Sequence, residues 1–243
     1  MTRIIKFFQW RTKWVTTLLG GLALFSMVMV LGPNIANAES LDEVNGRVVQ
    51  VVLDEHPKIS QYTDIDSSDE GLGKNACGFV AAAAALGGED WTPLVSELAA
   101  AAGTDYNPDT GIQPSKYVAA LQKVFGAESV EVKNSSSLSE LYQQLAAGNI
   151  VIVDLKVNAN LEVPSATPPT YAHFARVLGI DMTQQEVYIE NTIDGAPYWT
   201  VSFATFDQAW QSPEVSSTMI PDPQHAEAVT RWMVVLNPVT NAY

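Results

Sequence analysis

The chain has 243 residues, enough for one ordinary domain or a domain with appendages, and its 47% hydrophobic content can support a packed core. Only 16% of residues are charged, which excludes a disordered polyelectrolyte, and 27 acidic against 13 basic residues give a net charge of −14 that repels phosphate backbones. The single cysteine excludes an internal disulfide framework and any multi-cysteine metal site.

Residues 1–38 contain Arg3, Lys6, Arg11 and Lys13 but no acidic residue, followed by an apolar stretch over 15–32, Pro33 and the small-x-small end Ala36-Asn37-Ala38. These are the three parts of a secretory signal peptide. An uncleaved anchor is the alternative, since 18 apolar residues sit at the short edge of a spanning helix. Pro33 and the Ala-x-Ala end favour cleavage, so the chain is expected to reach the membrane only transiently and to be secreted or periplasmic afterwards. Residues 39–243 form the expected mature domain of 205 residues; four basic side chains leave with the leader, so nine face 27 acidic ones, a net −18.

Within that domain, Leu41, Val44, Val48, Val51 and Val52 recur at helical spacing and predict a helix over 41–55. A polar, acidic loop over 62–74 follows. The run CGFVAAAAAL over 77–86 reads as a helix apolar on all sides, hence buried. Further helices are predicted over 91–102, 114–125 (Pro114 in its opening turn), 139–147 (closed by Gly148) and 203–210. NIVIVDLKV over 149–157 is a β-branched run and predicts a central strand. Strands over 171–180 and 186–191 form a hairpin, with others over 199–202 and 231–236. Helices first and an antiparallel sheet second make an α+β layout, with no linker marking a second domain.

Cys77 stands where a Gly-rich loop (Gly71, Gly73) enters the buried helix. An unpaired cysteine in an oxidising compartment is buried, paired with another chain, or kept for chemistry. At a helix start the free N–H groups and the helix dipole favour a thiolate, so a lowered thiol pKa is expected. Of three histidines, His56 and His225 read as solvated. His173 opens the strand HFARVLGI at the sheet edge, and Asn191 ends its hairpin partner, within reach of the imidazole. Cysteine, histidine and a polar orienter together carry thiol acyl transfer. Asp105-x-Asn107-x-Asp109-x-Gly111 has alternating oxygen ligands, but its glycine is one position late and Lys116 stands where a calcium loop needs Glu, so an ordinary turn is expected. No cofactor or metal is expected.

NACGFVAAAAAL resembles the nucleophile helix of papain-like cysteine peptidases, closest to the bacteriocin-leader (double-glycine) peptidases and their stand-alone secreted relatives. GIQPSKYVAALQKVFG, LYQQLAAGNIVIVDLKV, YAHFARVLGID with EVYIENT, and TVSFATFDQAW resemble later segments of that group, in order, over residues 74–210. The resemblance implies a papain-like fold, with Cys77 as nucleophile, His173 as general base and acid, Asn191 as orienter and Asp194 as its fallback. Such peptidases place a Gln about six residues before the cysteine to complete the oxyanion hole. Gly71 occupies that position, which leaves an amide from Asn75 or Gln61 to join the Cys77 N–H. The expected function is thiol-dependent cleavage of peptide bonds in a peptide or protein substrate. The alternatives are a cell-wall peptide amidase, against which the strand NIVIVDL lacks the expected Gly-Asp pair, and a catalytically silent peptide-binding module.

Overall fold

A computed structural model describes residues 42–44, 46–62, 64–65, 72, 75–87, 91–158, 170–193, 196–211 and 229–237. The expected leader, His225 and Asp194 lie outside the described residues. Within them no helix is long and apolar enough to cross a membrane.

Where a helix is predicted over 41–55, the chain instead forms two short strands, β1 (Asp42–Val44) and β2 (Arg47–Val49), then a single 3-10 turn at Leu53–Glu55. The valines that mimic a helical stripe are β-branched, and Gly46, at φ +86°, turns the chain back between the strands. Val48 and Val49 then point to opposite faces, into two different apolar clusters. Alternation has beaten helical spacing here because a neighbouring strand was available to pair with β2.

The helices form as predicted, within one residue at most ends. They are α1 (Cys77–Leu86), α2 (Thr92–Ala102), α3 (Pro114–Phe125, Pro at its opening turn), α4 (Leu138–Ala146) and α5 (Phe203–Gln211). A capping box starts α4: Ser137 Oγ accepts from the Glu140 N–H, and Glu140 Oε2 accepts from the Ser137 N–H. The remaining strands are β3 (Val130–Lys133), β4 (Ile150–Asn158), β5 (Thr170–Asp181), β6 (Glu186–Glu190), β7 (Tyr198–Ser202) and β8 (Met233–Leu236). All pairings are antiparallel, in the order β1-β2-β5-β4-β8-β3, with β6 also on β5 and β7 on β6.

Alternation along β4 divides the core. Ile150 and Ile152 face a cluster built from α1, α2 and α3, while Val151, Val153, Leu155 and Val157 face one built from α4 and α5. The sheet is thus covered on both sides, and α1, with Ala81, Ala82 and Ala83 fully buried, lies in the middle of the first layer. Small side chains let that helix approach the sheet closely, and Gly78 is the tightest point. A Cβ there would lie 3.0 Å from the Tyr117 ring and 3.1 Å from the Phe174 ring.

Residues 50–62 run as a strap over β5 and β6. Gln50 donates to Asn149 O at 2.6 Å, Leu53 packs with Leu178 and Tyr188, and the Gln61 N–H donates to Thr192 O at 2.9 Å. Midway, His56 Nε2 lies 3.3 Å from Glu190 Oε1, and Arg176 Nη1 lies 3.9 Å from the same oxygen; their side chains are 4%, 0% and 2% exposed for His56, Glu190 and Arg176. A second close approach fastens β2 to β5. A Cβ on Gly179 would sit 2.7 Å from Val48 O and 2.9 Å from Val49 Cα, both backbone atoms. Gly179→Ala is therefore expected to lower stability by about 1–3 kcal/mol in urea unfolding, by prising β2 off β5. An unchanged midpoint would mean that β2 contributes nothing to the fold.

Candidate active site

Cys77 begins α1 without a side-chain cap; its cap position, Ala76, has no side-chain polar atom to offer. The orphan N–H groups of a helix start are thus left for the sulfur. The Cys77 thiol meets the backbone N–H of Phe174 on β5, and those of Gly78 and Cys77 itself. The reason Phe174 is free to do this lies in the sheet. β4 covers one edge of β5, with Leu155 opposite His173 and Asp154 opposite Phe174, but the β6 pairing on the other edge stops at Val177. His173 therefore lies inside β5, which starts at Thr170 and is a central strand, rather than opening an edge strand as predicted. Only its β6 side is unpaired.

Burial decides the electrostatics. It pushes the Cys77 thiol up to about 11, against the lowering N–H groups of Phe174, Gly78 and Cys77, while Asp154 pushes it further up. This reverses the lowered thiol pKa expected from the helix start: the half-charge of a helix end is worth less than the loss of water around a sulfur sealed in by protein. Burial also lowers the His173 imidazole to about 4. The resting pair is a neutral thiol and a neutral imidazole, and no hydrogen bond joins the Cys77 sulfur to the His173 ring.

The His173 side chain is 1% exposed, its ring centroid 6.1 Å from that of Trp199 on β7 at 59°, and its Nε2 has no hydrogen-bond partner among the described residues. Extending the register of Val177 with Ile189 by two residues sets Asn191 opposite Ala175, on the face that carries His173. Asn191 is fully buried, and its Oδ1 accepts from the Ile193 N–H at 2.9 Å; a carbonyl oxygen has a second lone pair to offer an imidazole N–H.

The two amides proposed for the oxyanion hole have other commitments. Gln61 Oε1 accepts from Thr192 Oγ1 at 2.9 Å, and its side chain also bonds the Tyr62 hydroxyl. Asn75 Nδ2 donates to Pro108 O at 3.1 Å, tying the start of α1 to the turn at residues 107–111. That turn is made by Asn107 Oδ1 accepting from the Asp109 N–H at 2.8 Å, while Asp105 pairs with Lys116 at 3.3 Å. It is the ordinary turn that the sequence predicts, and among the described residues no cluster of acids, His and Cys is built to hold a metal.

Three residues around the sulfur were not singled out from sequence. Tyr117 on α3 donates to Gly78 O at 2.6 Å and is raised well above its ordinary value, by burial first and then by Cys77. Burial, then Cys77, also raises Tyr62 on the strap. Asp154 on β4 is the third; burial lifts its carboxyl to about 7, and its Oδ1 has no hydrogen-bond partner among the described residues. The signal was present in the sequence, since aspartate is depleted from strand interiors and here interrupts a β-branched run.

No curated protein sequence matches the chain. Among solved structures, that of a Bacillus anthracis protein designated a C39-like peptidase is similar at 17% identity, covering 82% of this chain and 100% of the other, with a TM-score of 0.51. At that identity the likeness speaks for the fold alone, the α+β papain-like arrangement just described. Residues 53–216 match the Peptidase_C39 like family, two-thirds of the chain and every element from the strap to α5. The chain belongs to that family, within the papain-like cysteine peptidases.

Proposed function

We propose that this protein is an exported thiol-dependent hydrolase of peptide bonds, freed from its leader near Ala38, with Cys77 as nucleophile, His173 as general base and acid, and Asn191 as the group that orients the ring. The observation that supports this most is the convergence of three backbone N–H groups on the Cys77 sulfur, one of them from the residue next to His173. His173 takes the thiol proton as the sulfur attacks the scissile carbonyl carbon. The Cys77 N–H holds the developing oxyanion, with a second donor from Asn75, whose other amide hydrogen is given to Pro108, or from Gln61 once it leaves Tyr62. The imidazolium returns its proton to the leaving amine as the C–N bond breaks, giving a thioester. Water, deprotonated by His173, then hydrolyses the thioester and restores the thiol. Because thiol and imidazole both rest neutral, proton transfer accompanies substrate binding and is not complete beforehand.

The test is to incubate the protein with a mixed peptide set and, separately, with purified peptidoglycan, in water enriched in heavy oxygen. New peptide C-termini carrying the label, and lost after iodoacetamide treatment, are the expected result. Cleavage of peptidoglycan alone would replace the proposal with the amidase reading. No alkylation-sensitive cleavage of either substrate would leave the silent peptide-binding module.

A further inference from the structure

The mechanism above makes no use of Asp154, a half-buried residue whose Oδ1 is sealed from solvent in the wall of the nucleophile's chamber. It is opposite Phe174 in the register of β4 and β5, and Phe174 supplies an N–H to the Cys77 sulfur. The two side chains share the face on which α1 packs, since Ile150 and Ile152 precede Asp154 on that face and Phe174 belongs to the same cluster. The carboxyl is close enough for its charge to act on the thiol, and its Oδ1 is buried without a hydrogen-bond partner among the described residues. A structural aspartate in a strand would have spent that oxygen on a turn or an ion pair, as Asp181 does on the Thr183 and Gln184 N–H groups.

We propose that Asp154 is a positioning residue that acts through Cys77: uncharged, it lets the thiolate form, and on ionising it holds the proton on the sulfur. The inference rests on Cys77 being the nucleophile. Among the described residues, Tyr117 from α3, Tyr62 from the strap and Cys77 from α1 are the titratable groups coupled within this chamber, and none of these is a cation. Along the same face, β4 presents Lys156 two residues on, while β5 presents Arg176, which faces Glu190. His173 projects to the opposite face, so in the mechanism proposed above its ring meets the sulfur only around the unpaired β6 edge of β5, and Trp232 leads into β8 beside Asp154 with an uncharged ring. With burial lifting the Asp154 carboxyl to about 7, the change of charge falls in the neutral range. The consequence is a brake of unusual sign: raising the pH normally makes a thiol more reactive, and here the same rise charges the carboxyl that opposes it.

Iodoacetamide alkylation reads the sulfur directly: the thiolate displaces iodide, a C–S bond forms as the C–I bond breaks, and the thiol proton passes to solvent. Rates would be measured from pH 5 to 10 on the full chain, unmodified and as Asp154→Asn, which keeps the shape and removes the charge. The variant is expected to match the unmodified protein below pH 6 and to react about tenfold faster or more above pH 8, a gap equal to one pKa unit or more. Parallel profiles, or a variant slower at every pH, would overturn the proposal. Should the variant fold poorly by circular dichroism, infrared difference spectra of the unmodified protein decide: the carboxylic C=O stretch must vanish between pH 6 and 8, and its loss below pH 5 would sink the idea. Failure of the hydrolase reading is separate. Fast, Asp154-dependent alkylation without peptide cleavage would refute the hydrolase alone, and cleavage with parallel profiles would refute Asp154 alone.

Discussion

His173→Ala is expected to lower kcat/KM for peptide cleavage by about 10²- to 10⁴-fold, the usual worth of a positioned general base. The structure makes the dependence acute. With the thiol at about 11, almost no thiolate exists at neutral pH, so the sulfur has no nucleophilic form without a base to take its proton as it attacks. Stopped assays on the purified variant check this, and a loss under threefold would remove His173 from the chemistry. The imidazole also leaves a thermodynamic mark. Its folded pKa, about 4, lies below the ordinary 6.5, so between those values the unfolded chain binds the proton and the folded one does not. The stability it contributes is therefore present above pH 6.5 and lost as pH falls toward 4, about 3 kcal/mol in all. Asp154 runs the other way. Its folded pKa is raised from 3.8 to about 7, so the stability tied to its proton is present below pH 3.8 and lost as pH rises to 7, about 4 kcal/mol. The two nearly cancel, so the unmodified protein should show a flat stability profile from pH 4 to 7. His173→Gln should unmask a fall with rising pH, read as urea midpoints across the series.

Glu190→Ala should be the most damaging single change outside the chamber, costing about 3–5 kcal/mol. Its carboxylate lies between His56 and Arg176, and Arg176 is 2% exposed, so truncation takes the Glu190 charge away from a buried guanidinium. A double change, Glu190→Leu with Arg176→Met, should restore much of the loss, because exchanging a whole buried ion pair for apolar side chains is close to neutral. Thermal unfolding of the two variants measures both claims. A single variant within 1 kcal/mol of the parent would show that the pair is effectively solvated. Damage here should also reach the site, because Glu190 immediately precedes Asn191, and His56 holds the strap that carries Gln61 and Tyr62.

Local signals explain what could be read from the chain itself. The start of α1 at Cys77, Pro114 at the head of α3 and the β4–β5 pairing all rest on residues within one element and its neighbour. The segment over 41–55 deceived because valines spaced three and four apart satisfy a helix in isolation, and only the distant Gly179–Asp181 edge makes them strands. The strand β3 is four residues, VEVK, too short to rise above a loop without its partner β8. Cys77 was legible by its place before a buried run, whereas the height of its pKa was not. That depends on Tyr117, Phe174 and Asp154, residues 40 to 97 positions away whose packing no local pattern encodes. Asp154 escaped for a related reason: a run judged by its hydrophobic average hides the one charge within it.

The sulfur's hydrogen bond to the Phe174 N–H also bears on how the protein comes to life. That contact joins residues 97 apart in sequence, and the Gln61–Thr192 bond closes a separation of 131. Loops of that span close late and at an entropic cost that local helices do not meet. In a chain still being made, or one only partly folded, α1 can form while its cysteine faces solvent as an ordinary thiol, with no imidazole beside it. The base-assisted cleavage proposed above would then require β5 to be in place between β4 and the strap, even though the exposed thiol of the partly folded chain is the more acidic of the two.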